Sequence, residues 1–278
     1  MAYTYEQIDN IPLAENYPIL HPLKRENYYF SARYHYDDSW TSVSEHPLAI
    51  FFHGSGTSQH YSPTSYITSP LISRGYNVVT FHNFGSGSSS SSPRANTYGN
   101  VNSPLYFGSQ IRNAWSVQAA IEYFSAPNQP FSTPFLLYGH SMGASSIFAW
   151  SMLSDSPGFD SKEKVKCIVG NGATQGASGN YRWNNVNRNI ATMSQIMQEC
   201  KHPAIAFYAD ADDMAPPDYA RKIQASMPTS CPIYFISPGN YGHNWMGSRV
   251  SFWANLADDL YSDKTIIING NEALLGTG

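Results

Sequence analysis

The sequence is short of charge. Only 13% of its 278 residues are Asp, Glu, Lys or Arg, and 16 basic against 20 acidic side chains leave a net charge of −4. With no block of Lys or Arg, there is no electrostatic footprint for nucleic acid or an anionic lipid surface. Long apolar runs are missing too, so no membrane span is expected. Cysteine is scarce: Cys167, Cys200 and Cys231 are odd in number and far apart, which favours buried free thiols over a disulfide framework. Met1-Ala-Tyr-Thr-Tyr-Glu shows neither a basic nor an apolar leader pattern. Together with the thiols, this leads to the expectation of a cytoplasmic chain. Metal and nucleotide patterns are also lacking: there is no H-E-x-x-H, paired CxxC, EF-hand or P-loop, and Gly85-x-Gly87 has no third glycine at position 90, so no metal or cofactor is implied.

What remains is an ordinary globular composition, 42% hydrophobic including 14% aromatic, with strand-like and helix-like stretches in alternation. Residues 28–36 alternate, with Tyr28, Phe30, Ala32, Tyr34 and Tyr36 on one face and Ser31, Arg33 and His35 on the other. That pattern reads as an early antiparallel strand with one wetter side. Leu48–Phe52, Asn77–Phe81, Pro134–Tyr138, Val165–Val169, Ala204–Tyr208 and Ile233–Ile236 are short continuous apolar runs, as expected of strands buried on both faces. Helices are expected over 60–74 with Gly75 as C-cap, along the face Ile111, Ala114, Trp115, Ala119 and Tyr123, and near 143–150, 217–227 and 248–261. Strands alternating with helices predict an α/β fold with a mainly parallel sheet covered on both faces. The serine run 85–92 could pass for a linker, but the alternation continues across it, so 1–278 is read as one domain. Residues 170–202 are read as a small lid or an ordinary helix with a long loop, and the tail from Thr265 as an edge strand or extended arm.

The most informative segment is Gly139-His140-Ser141-Met142-Gly143, between the strand-like run 134–138 and the helix-like run 143–150. A serine on a strained strand-to-helix turn projects its hydroxyl, and glycines two residues to either side let the bent backbone pass. Ser141 is therefore the candidate nucleophile. A serine hydroxyl needs a base in hydrogen-bond reach and a third group to fix that base's tautomer. Downstream, the strand 204–208 runs into Asp210-Ala-Asp212-Asp213-Met214-Ala-Pro216, and the strand 233–236 runs into a loop bearing His243. Both lie where a parallel sheet gathers its active site. His243 is the only histidine beyond the acid loop; Asp212 is preferred as the acid, with Asp210 and Asp213 as alternatives. Oxyanion donors are expected from the backbone N–H of Met142 and, from His53-Gly54-Ser55-Gly56, of Ser55. Phe84, Met214 and Trp245 are assigned to substrate binding, with Tyr106, Phe107 and Trp183 as further aromatic candidates for an acyl pocket.

These motifs occur in the order and spacing of a known family. The chain resembles the α/β-hydrolases from about residue 45 to 262, and is similar in particular to the esterase, monoacylglycerol-lipase and serine-aminopeptidase-like branches. Where members often carry Asp and Arg ahead of the glycines after the second buried strand, this chain has His82 and Phe84. The resemblance implies an eight-stranded, mostly parallel sheet and an acyl-enzyme mechanism, and it supports Asp212, four residues before Pro216; residues 170–202 are short for a large cap, so a small cap or none is expected. The expected activity is hydrolysis of a small-molecule carboxylic ester. Thioester hydrolysis, amide or peptide cleavage and acyl transfer are the alternatives on the same triad. A non-catalytic binding protein on this scaffold is the reading from another class, and the Ser, Asp, His order argues against it.

Overall fold

The computed structural model describes residues 3–17, 25–54, 62–83, 89, 109–173, 179–183, 186–190, 193–228, 230, 232–268 and 271–272. Eight strands form one sheet in the order β1-β2-β4-β3-β5-β6-β9-β10. These are β1 (Tyr3–Pro12), β2 (Tyr29–Asp37), β3 (Leu48–Phe52), β4 (Asn77–His82), β5 (Phe135–His140), β6 (Val165–Asn171), β9 (Ala204–Phe207) and β10 (Ile233–Ile236). β2 pairs antiparallel with both β1 and β4; from β4 onward every pairing is parallel. Parallel neighbours need crossovers, and these are α1 (Ser69–Ile72), α2 (Ser109–Phe124), α3 (Met142–Leu153), α4 (Met193–Gln198) and α5 (Pro217–Ala225), with α6 (Val250–Tyr261) following β10.

Period-two alternation sends the central strands' side chains into two cores. Leu48, Ile50 and Phe52 of β3 and Phe135 and Leu137 of β5 pack with α2, α3, α4 and α5 on one face. Ala49, Phe51, Leu136 and Tyr138 point the other way, toward α1 and α6. Both faces are thus covered, which is why these strands read as unbroken apolar runs. Trp115, Trp150 and Phe148 fill the first layer, and Trp253 and Tyr76 the second.

Three sequence expectations change. The first is the side of β2 bearing Ser31 and His35, which is not wet: both residues are buried. Each makes one hydrogen bond across the strand pair, Ser31 Oγ with His82 Nδ1 at 3.0 Å and His35 Nε2 with Thr80 Oγ1 at 3.0 Å. Ser89 of the serine-rich run joins this pairing, accepting the Ser31 N–H and donating to the His82 carbonyl, each at 2.8 Å.

The second is the helix expected over 60–74, which shrinks to Ser69–Ile72. Pro70 lacks an N–H and fits only a first helical turn, and before it Thr68 Oγ1 donates to the carbonyls of Ser62 and Pro63, holding the chain in turns. Residues 60 and 61 lie outside the described residues, while Gly75 does close the segment at φ +86°.

The third change is in the two less legible stretches. Within 170–202 the chain forms a hairpin of β7 (Gly179–Trp183) and β8 (Val186–Ile190) before α4. The tail forms a second small hairpin, β11 (Ile267–Ile268) with β12 (Asn271–Glu272), which does not join the main sheet. Cys167 and Cys200 are buried and not in a disulfide, and Cys231 falls outside the described residues.

Candidate active site

The serine turn is built by close packing. Ser141, between β5 and α3, has φ 54° and ψ −116°, a left-handed conformation that a non-glycine residue adopts only when its surroundings impose it. The surroundings here are tight on both sides. A Cβ on Gly143 would collide with the Phe52 carbonyl at the end of β3, and one on Gly139 would come 2.7 Å from the Gly143 carbonyl carbon. The turn is tied to the next strand by the Ser141 N–H, which donates to the Asn171 carbonyl at 2.8 Å. Ser141 itself is only 7% exposed.

His243 and Asp212 meet at the same sheet edge. His243 Nδ1 lies 3.0 and 2.8 Å from the two Asp212 oxygens. A carboxylate only accepts, so Nδ1 carries a proton, and in the neutral ring Nε2 is then the acceptor. Nε2 is buried and has no hydrogen-bond partner among the described residues, Ser141 included. Asp212 Oδ1 also accepts the backbone N–H groups of Met214 at 2.9 Å and Ala215 at 2.8 Å. Burial alone would raise the Asp212 carboxyl, but the bonds from His243, Ala215 and Met214 outweigh it and hold the group below the usual carboxylate range. Below this pair lies Gly172, at φ +58° just past β6. A Cβ there would stand 2.9 Å from His243 Cε1 and 3.1 Å from Asp212 Oδ2.

Of the three aspartates in the loop, Asp212 is the one His243 touches. Asp210 is exposed and accepts the Ser237 hydroxyl at 2.8 Å, and Asp213 is exposed. Met142 is the first residue of α3, so its N–H is a first-turn donor with no intrahelical acceptor. Ser55, Phe84, Tyr106 and Phe107 lie outside the described residues, as does the Trp183 side chain. Gly54, just before Ser55, abuts the elbow: a Cβ on it would lie 3.1 Å from Ser141 Cβ. Its neighbour His53 is buried, with Nδ1 donating to the Gly54 carbonyl at 2.7 Å and Nε2 accepting the Asn83 N–H at 3.2 Å, which pins the turn to the end of β4.

Trp245 sits in the core, 2% exposed, against Phe207 and Phe252, and donates its indole N–H to Asn171 Oδ1. Met214 is 59% exposed, and its described polar contact is the backbone bond to Asp212. Two residues that the sequence reading passed over emerge beside the site. Asn171 holds the Ser141 N–H with its backbone and Trp245 with its side chain, and His140 reaches the His243 backbone. The apolar run of β6 ending in Asn171-Gly172 was a visible signal for the first.

A mostly parallel eight-stranded sheet, helices on both faces and a serine on a positive-φ turn after β5 define an α/β-hydrolase fold. The family model described as alpha/beta hydrolase fold matches residues 47–191, and the chain belongs to that family. The match includes Ser141 and stops before Asp212 and His243.

Among solved structures, the chain is similar to a serine hydrolase involved in carbazole degradation, at 15% identity and TM-score 0.60, over 95% of this chain and 100% of that one. A thioesterase domain from the curacin biosynthetic pathway aligns at 16% identity and TM-score 0.57, over 91% and 99%. The esterase domain of a Rhodothermus marinus protein aligns at 17% identity and TM-score 0.52, over 94% and 97%. No curated protein matches the sequence.

Proposed function

We propose that this chain is a serine hydrolase that cleaves a carboxylic ester through an acyl-enzyme, with water as the final acceptor. The observation that carries the reading is the part-buried His243–Asp212 pair, with Nδ1 turned to the carboxylate and the buried Nε2 left without a partner at the sheet edge where Ser141 stands on its strained turn. Ser141 Oγ attacks the ester carbonyl as His243 Nε2 takes its proton. The tetrahedral oxyanion is held by the N–H groups of Met142 and Ser55, and collapse expels the alcohol, protonated by His243. Water then repeats the sequence on the acyl-serine and returns Ser141. Asp212 keeps Nδ1 protonated and stabilises the imidazolium that forms in each half-reaction. The bond from Ser141 to Nε2 is absent in the resting chain, and such contacts commonly tighten only once substrate is bound.

The family and the likeness to proteins named as esterases support the acyl chemistry. The likeness to a thioesterase domain keeps a thioester as the second substrate to assay. The test is turnover of p-nitrophenyl acetate and butyrate: Ser141→Ala should fold as the wild type does and lose turnover by about 10³-fold or more. Undiminished turnover in that variant contradicts the proposal.

A further inference from the structure

His140, the variable residue between the first glycine and the serine of the elbow, is placed where three loops meet. Its Nε2 lies 3.1 Å from the carbonyl oxygen of His243. A carbonyl only accepts, so Nε2 carries the proton and donates. The two imidazole rings are 4.7 Å apart between centroids and inclined at 48°. On the other side is the turn after β3, where a Cβ on Gly54 would come 3.1 Å from His140 Nδ1. One half-buried side chain therefore spans the turn after β3, the elbow after β5 and the loop after β10.

That loop has far to come. Between β5 and β10 the sheet interposes β6 and β9, so His243 reaches the serine on a loop extending across two strands. Among the described residues the loop is secured at its base, where the Ala211 N–H donates to the Tyr241 carbonyl at 3.0 Å, and behind, where Trp245 bonds Asn171. Neither bond acts on residue 243 itself. Asp212 holds its ring, and the His140 bond holds its backbone, joining the base's own peptide to the residue adjoining Ser141.

We infer that His140 is a positioning residue, whose Nε2–H fixes the backbone of His243 and thereby the direction of its bare nitrogen relative to Ser141. The inference rests on the reading of Ser141 and His243 as nucleophile and base. Burial holds the His140 ring below the usual histidine value despite its bond to His243, so near neutral pH it stays uncharged and sets no second cation beside the imidazolium that forms on His243.

The experiment compares His140→Leu and His140→Gln with the wild type and Ser141→Ala, measuring kcat and KM on p-nitrophenyl acetate alongside thermal melting. His140→Leu should melt close to the wild type and keep KM within about twofold while kcat falls about tenfold or more, because a base displaced by a fraction of an ångström is poorly aligned for proton transfer. His140→Gln, whose amide can donate to the same carbonyl, should recover most of the loss. His140→Phe keeps a ring and loses the donor; where leucine disturbs folding it takes that variant's place, with the same fall in kcat expected. Wild-type kcat in the apolar variants, or an equal loss in His140→Gln, overturns the inference. Full activity in Ser141→Ala would instead remove the reading on which it rests.

Discussion

At the residue scale, three aspartates within four positions are separated by what each touches. Asp212 is buried and collects two backbone N–H groups and the His243 ring, whereas Asp210 is exposed and bonds Ser237. Asp212→Asn is therefore expected to lower kcat by about 10³- to 10⁴-fold, the cost of a wrongly protonated histidine. Asp210→Asn and Asp213→Asn should stay within about threefold of the wild type in the same ester assay. The same bonds have a pH signature. Since folding lowers the Asp212 carboxyl below its ordinary value, the stability it contributes is fully present above the unfolded carboxylate value of about 4 and is lost as pH falls through the lower folded value. Urea melts should accordingly show a constant gap between the wild type and Asp212→Asn from about pH 8 to 5 and a narrowing gap only below about pH 4. A gap that closes near neutrality would contradict this.

Candidates for a nucleophile, an acid and a base were legible in the sequence, because such groups follow the ends of buried strands in a definite order, and the structure brings His243 against Asp212 there. The choice among the aspartates rested on the distance to Pro216. What sets Asp212 apart in the structure is its contact with His243 and with the amides of Met214 and Ala215, which no spacing rule displays. His140 lay inside the motif, but its position is one where the pattern accepts any residue.

At the element scale, the elbow depends on α3 approaching the end of β3 more closely than any side chain permits. Gly143→Ala would drive a methyl group into the Phe52 carbonyl. Neither backbone can yield without parting helix from sheet, so a loss of about 3 kcal/mol or more is expected in urea melts. Gly172→Ala combines a φ of +58° with a methyl group 2.9 Å from His243 Cε1. It should reduce kcat on p-nitrophenyl acetate more than it reduces stability, and a variant with wild-type kcat would show that the floor beneath the pair is dispensable.

Elements announced by continuous apolar runs were legible to within a few residues, as at Leu48–Phe52 and Ile233–Ile236, which form strands with those bounds. β1 was not, because Tyr3–Pro12 has few apolar residues and is organised by pairing with β2. The polar face of β2 differs for a related reason: Ser31 and His35 read as solvated, yet each is buried and bonds a polar side chain of β4, His82 and Thr80 respectively.

At the scale of the whole molecule, the sheet does two separate tasks. Its parallel part, from β4 to β10, brings the turn after β3, the serine after β5, the aspartate after β9 and the histidine after β10 to one edge. Its antiparallel part, β1 and β2, supports the first core, where Ile11 and Phe30 are wholly buried beside Phe81 and Trp115. Ile11→Ala should therefore cost about 2–4 kcal/mol in urea melts while leaving KM for p-nitrophenyl acetate unchanged at temperatures where the chain is folded. A coupled change in KM would mean that the antiparallel part shapes the site as well as supporting it.

Intact-mass analysis of the chain quenched during turnover of p-nitrophenyl butyrate looks for the acyl-enzyme itself. One butyryl group per chain is expected, mapped by fragmentation to Ser141 and absent in Ser141→Ala. An acyl group on another residue, or turnover at the wild-type rate without Ser141, would contradict the proposal.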